Sequence, residues 1–81
     1  MMTTFSETEA ILKSAVILSR NSVKQISEAS KINADILYKW KTMRNRHLSP
    51  ANADILLLYF EKNEPQTLIE AYVLNFVHNY L

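Results

Sequence analysis

Residues 22 to 46 read SVKQISEASKINADILYKWKTMRNR, and the apolar positions in this stretch decide how the rest of the chain is read. Ser22 offers a side-chain oxygen that takes an N–H at a helix start, and Gln25, three residues on, completes the capping-box pattern. A short helix is therefore expected over about 22 to 30. Asn33 is again a favoured cap, ahead of the run ADILYKWKTMR, so a longer helix is expected over about 33 to 44. Ile26, Ile32, Leu37 and Trp40 fall where the two helices would close on each other around a tight turn, leaving the polar and basic residues outside. Trp40, spaced three residues from Leu37, is read as core rather than as a base-stacking ring.

Outward from this pair, the basic loop NRHL leads to Ser49 and Pro50, a cap followed by a proline in the first turn, where a missing N–H costs nothing. The run ADILLLYFEKN extends that helix to about Asn63, and Pro65 opens a last one that reaches the chain end. Before the pair, Ser6 and Glu9 form a further capping-box pattern at the head of a helix expected to run to about Arg20. Ile11, Ala15 and Leu18, widened by Leu12 and Val16, give it a core-facing side. Arg20 and Asn21 suit its end, the cation for the helix dipole and Asn for a left-handed residue.

With 81 residues and 48% apolar content, the chain has material for one core, and a single domain over 1–81 is expected. Glycine is absent, and no stretch alternates apolar and polar residues over the length of a strand, so an all-α fold of five helices is expected. There is no cysteine, which excludes disulfides and thiolate metal sites and suits a reducing compartment. The start MMTTFSETEA lacks the basic and apolar regions of a secretory leader, and charges break every apolar run short of about 18 residues. A cytoplasmic protein with no membrane partner is the expectation.

The formal net charge is only +1, but it is unevenly distributed. Residues 1 to 30 balance, with Lys13, Arg20 and Lys24 against Glu7, Glu9 and Glu28. Residues 31 to 47 carry Lys31, Lys39, Lys41, Arg44 and Arg46 against Asp35 alone, a net of +4. From residue 48 on, Lys62 faces Asp54, Glu61, Glu64 and Glu70, a net of −3. The cationic face lies in the middle of the chain, the footprint expected for a polyanionic partner.

From Ser22 through Asn45-Arg46-His47 and into the helix at Pro50, roughly half of the chain resembles the helix-turn-helix of phage Cro and repressor proteins, a class also found in bacterial regulators and antitoxins. The apolar spacing and the serine-proline start of the next helix carry the resemblance. The chain departs from the family at Lys31, where Gly is usual in the turn, at Ser27, where Ala is usual, and at Val23, where Gln is frequent. The resemblance implies a repressor-like domain that places its second motif helix in the major groove of double-stranded DNA. Ala34, Asp35, Tyr38, Lys39 and Thr42 are then the base-reading candidates, with Ala34 suited to a thymine methyl, Asp35 to a cytosine amino group and Lys39 to guanine. Ser22, Lys24, Lys41, Arg44, Asn45, Arg46 and His47 are the phosphate candidates. Asp35 and the basic helix end also have a plainer reading, as charges that complement the helix dipole.

The last helix is more apolar than the surface helix of a monomer needs. Ile69, Tyr72, Val73, Phe76, Val77 and Tyr80 form one stripe, with Leu74 and Leu81 to one side and Leu68 to the other. A homodimer through this stripe is expected, and two-fold symmetry would set two motif helices about one DNA turn, roughly 34 Å, apart. The simpler alternative is that the stripe completes the monomer core.

His47 and His78 are too far apart in sequence to form a recognisable ligand pair, and no catalytic arrangement or glycine-rich phosphate loop is readable. No metal, no cofactor and no enzymatic activity are expected. The function expected is sequence-specific DNA binding by a small transcriptional regulator of phage or mobile-element type, repressing by promoter occupancy. The competing reading is a protein-protein interaction module on the same fold, such as an antitoxin or host-defence inhibitor. The low net charge and an exposed Ile36 keep it in play.

Overall fold

Three side-chain caps divide the middle of the chain in the computed structural model, which describes residues 5–43 and 46–80 and the side-chain surroundings of 7–43 and 46–78. Ser22 Oγ accepts the Gln25 N–H at 3.2 Å while Gln25 Oε1 accepts the Ser22 N–H at 2.8 Å, so the capping box is made in both directions. Asn33 Oδ1 accepts the N–H groups of Asp35 at 2.8 Å and Ile36 at 3.3 Å, and Ser49 Oγ accepts that of Asn52 at 3.1 Å. The helices are α1 (Phe5–Leu18), α2 (Val23–Ser30), α3 (Ala34–Thr42), α4 (Pro50–Asn63) and α5 (Pro65–Tyr80). Among the described residues there is no strand, and no helix is long and apolar enough to cross a membrane.

The turn between α2 and α3 closes with Lys31 in the left-handed region, at φ 68° and ψ 13°, and its N–H donates to Ser27 O at 2.8 Å. A β-carbon costs roughly 1 kcal/mol in that conformation relative to Gly. Hydrogen bonds hold it: Ser27 Oγ donates to the carbonyl of Ile32, and buried Ser30 Oγ accepts the Ile32 N–H at 3.3 Å. Ser27, small but polar, thus has a role in this turn.

One core collects Ile11, Leu12, Ala15 and Val16 of α1, Ile26, Ile32, Leu37 and Trp40 of the middle pair, and Leu48 before α4. Ala53, Leu56, Tyr59 and Phe60 of α4 and Leu68 and Ala71 of α5 complete it, with the Tyr59 and Phe60 rings edge to face at 5.0 Å. The Cα radius of gyration is 11.8 Å, close to the roughly 12 Å of a closely packed chain this long.

Two expectations at the ends of α1 are corrected. The helix stops at Leu18, short of Arg20, because Ser19, Arg20 and Asn21 turn toward Glu64: Ser19 Oγ donates to Oε2 at 2.6 Å and the Arg20 N–H to Oε1 at 3.1 Å. Asn21 is not left-handed; its amide donates to Tyr59 Oη at 2.9 Å and to Glu64 Oε2 at 3.3 Å. At the other end, α1 is already helical at Phe5 and the Glu9 carboxylate faces inward among three donors from other parts of the chain, while the Ser6 side chain of the expected capping box lies outside the described residues.

Helix α5 runs back along α1, so that Leu74, Asn75 and His78 lie beside Ala10 and Ser14 while Glu64, just before α5, meets the end of α1. It packs through the Leu68 side: Thr67, Leu68 and Ala71 are buried and Asn75 is half-buried. The stripe lies outside. Ile69, Tyr72, Val73, Phe76 and Val77 are between 44% and 57% exposed, so it does not complete the monomer core; the Tyr80 side chain lies outside the described residues.

Candidate nucleic-acid interface

Helix α3 presents its faces as the 3.6-residue period dictates. Leu37 and Trp40 are buried, which turns Asp35, Tyr38, Lys39 and Thr42 outward. Ala34, expected on the exposed set, is half-buried at the flank with Lys41. On the other flank Ile36 and Met43 are exposed apolar side chains.

The outward set is partly engaged with itself. Lys39 Nζ lies 3.0 Å from Asp35 Oδ2, one turn apart, and Thr42 Oγ1 donates to the Tyr38 carbonyl at 2.9 Å. Both partners of the ion pair are exposed, so it contributes only about 0.3–0.5 kcal/mol and yields readily to another ligand. Ser22 has its hydroxyl and amide engaged in the capping box, while Lys24 is exposed. Arg44 and Asn45 lie outside the described residues.

Beyond them, Arg46 and His47 are exposed and Leu48 is buried, so the chain before α4 is anchored at Leu48 with these two phosphate candidates outside. The anchor is Glu9 of α1, buried at 9% exposure. Its Oε2 accepts the Trp40 indole N–H at 3.1 Å and the Leu48 N–H at 2.5 Å, and its Oε1 lies 3.0 Å from His47 Nδ1. Burial pushes this carboxyl up, but the His47 hydrogen bond and charge, the Leu48 amide and the indole outweigh it and hold the group below the usual carboxylate range. Lys13, one turn along α1, sits with Nζ 5.5 Å from the Trp40 ring centroid, within cation–π range.

The result is a cleft of about 170 Å³ lined by Asp35, Ile36, Lys39, Trp40, Arg46 and His47. Candidates for base reading and for phosphate contact thus share one depression. No family model, no characterised protein and no solved structure matches this chain. What the cleft can do therefore rests on its own chemistry: three cationic or protonatable side chains, one exposed carboxylate already paired, and an aromatic wall. Among the described residues no group of three or more His, Asp or Glu could hold a metal ion.

Glu9 is the residue that the sequence reading misassigned, although a signal was present. It lies three residues before Leu12 and seven before Val16, on the core phase of the helix, where a carboxylate requires buried donors. Glu64 escaped notice for a different reason. Three of its donors, Ser19, Arg20 and Asn21, belong to a segment that meets it only once the chain is folded.

Proposed function

We propose that this chain is a sequence-specific, double-stranded-DNA-binding transcriptional regulator of the Cro and repressor type, working in the cytoplasm by occupying a promoter and having no enzymatic activity. The observation that carries the reading is the cleft where Lys39, at the outward face of α3, meets Arg46 and His47 within the +4 segment. In this reading α2 and α3 form a helix-turn-helix, which the left-handed Lys31 between them supports. Helix α3 enters the major groove with Asp35, Tyr38, Lys39 and Thr42 toward base edges, while Lys41, Arg46, His47 and Lys24 address phosphates. The exposed stripe of α5 supports a two-fold dimer.

The experiment is binding of the intact chain to random-sequence duplex DNA across a range of salt. Affinity should fall linearly with log salt, and replacing Arg44 and Arg46 with Ala should weaken all sequences alike and flatten the slope by up to about two. Binding that ignores salt, or its absence, would sink the reading. Selection from a randomised duplex pool would then identify the operator.

A second reading has an observation of its own. Ile36 and Tyr38 of α3 and Met43 at its C-terminal cap expose apolar area, which suits a protein partner better than a phosphate backbone. In that case the domain is an interaction module of antitoxin or inhibitor type. Salt-insensitive capture of a protein with no duplex binding would be its signature.

A further inference from the structure

We propose that Glu9 is the positioning residue of a proton-dependent phosphate contact: it holds His47 with Nδ1 as the donor, so that Nε2 grips a DNA backbone phosphate only when the ring has taken its second proton. This rests on the DNA-binding reading above.

The tautomer follows from what each atom can do. An ionised carboxylate only accepts, and Glu9 already takes two N–H groups on Oε2, from Trp40 and Leu48. The His47 nitrogen 3.0 Å from Oε1 must therefore carry a hydrogen. In the neutral ring that is the ring's single proton, which leaves Nε2 bare. A bare Nε2 offers a lone pair to a phosphate oxygen and cannot bind it; a protonated Nε2 offers a charged N–H and can. The His47 side chain is 76% exposed, so Nε2 is within reach of a partner outside the chain.

The surroundings suit an oxyanion. The charged groups that face the ring are Glu9 on α1, Asp35 and Lys39 on α3, and Arg46 next to it in the chain, while Lys13 of α1 lies over the Trp40 ring. Of the two carboxylates, Glu9 is buried behind the ring and Asp35 lies on the outward face of α3 with Lys39, so that Arg46 is the exposed cation next to His47 in the cleft. Because Glu9 also holds the Leu48 amide and the Trp40 indole, the ring is set relative to α3 rather than moving with the loop. The contact therefore strengthens on acidification, as the ring takes its second proton.

Two measurements on the intact chain test this. The first reads the ring nitrogens of His47 by ¹⁵N NMR at about pH 8. Nδ1 should carry the proton, and Glu9→Gln should reverse the tautomer. The introduced amide can still accept from Trp40 and Leu48 through its oxygen, but it offers an N–H to Nδ1. A wild-type ring protonated on Nε2, or a tautomer unchanged in Glu9→Gln, overturns the proposal. The second measures binding to random-sequence duplex from about pH 8 to 5.5. One added phosphate contact per chain should steepen the loss of affinity over a fourfold rise in salt by about 3.5-fold, since the slope grows by about 0.9 per phosphate neutralised. His47→Gln and Glu9→Gln should lack this gain, whereas His78→Gln should keep it. If wild type and His47→Gln bind with parallel pH profiles, this proposal fails and DNA binding stands. If no form binds duplex at any pH, the DNA reading fails and the phosphate contact with it.

Discussion

Ser19 donates its hydroxyl to Glu64 Oε2 at 2.6 Å, joining the end of α1 to the junction between α4 and α5. The same carboxylate accepts the Arg20 N–H, the Asn21 amide, the Tyr59 hydroxyl at 3.1 Å and the Thr67 hydroxyl at 3.2 Å. Burial pushes Glu64 up, but the Ser19 hydroxyl, the Arg20 amide and the Tyr59 and Asn21 donors outweigh it and hold the group below its ordinary 4.5. Burial likewise pushes the Tyr59 phenol up, so it stays a neutral donor. With Glu9 near one end of α1 and Glu64 at the other, two inward carboxylates fix this helix against the rest of the chain.

Acid should therefore unfold the protein through these two groups. A carboxylate with a lowered folded pKa contributes stability that is complete above its unfolded value, here about 4.5, and is lost as the pH falls through the folded value. Glu64→Gln should cost about 1.5–3 kcal/mol at neutral pH, the range for hydrogen bonds to a charged group. The gap to wild type should narrow below about pH 4.5 in urea titrations. A gap that stays constant with pH would mean that Glu64 acts by shape alone.

At the α2–α3 turn, Lys31→Gly should raise stability by up to about 1 kcal/mol, reduced by the freedom Gly adds to the unfolded chain. The left-handed φ of 68° is the reason. The same change removes a cation, so affinity for random duplex should fall slightly while the melting temperature rises. Calorimetry showing a lower melting temperature would contradict this account of the turn.

On α3, the Asp35–Lys39 pair must open for either side chain to reach a base. Lys39→Ala or Tyr38→Ala should change discrimination between selected and random sites by roughly 1–3 kcal/mol while leaving the melting curve nearly unchanged. A uniform loss across sequences would place these side chains on the backbone instead. Asp35→Ala separates the roles further. If Asp35 mainly restrains Lys39, its removal strengthens binding to all sequences; if it reads a base, only the selected site weakens.

Along α5, Val73→Asp puts a charge in the centre of the exposed stripe without touching the core. Sedimentation at high micromolar concentration should find a dimer for the wild type and a folded monomer for the variant. A wild-type monomer at that concentration would end the dimer proposal.

What could be read from the chain before folding was everything set by neighbours within about one helical turn. Ser22 with Gln25, Asn33, and Ser49 with Pro50 are local caps, so the five helices and most of their boundaries were legible, and so were core assignments such as Trp40 and Leu37, which follow from periodicity. The ends of α1 were not, because the donors that meet Glu9, and Ser19 and Arg20 where they meet Glu64, are separated from these carboxylates by 31 to 45 positions, and a local capping pattern at Ser6 competes with buried donors no window contains. The same limit applies to α5. Its sequence shows two apolar sides, and only the packing of α1 against Leu68 and Ala71 decided which side is core and which remains exposed. Composition concentrated the positive charge in residues 31 to 47, whereas the joining of Lys39, Arg46 and His47 around one cleft required Glu9 to anchor Leu48 beneath them.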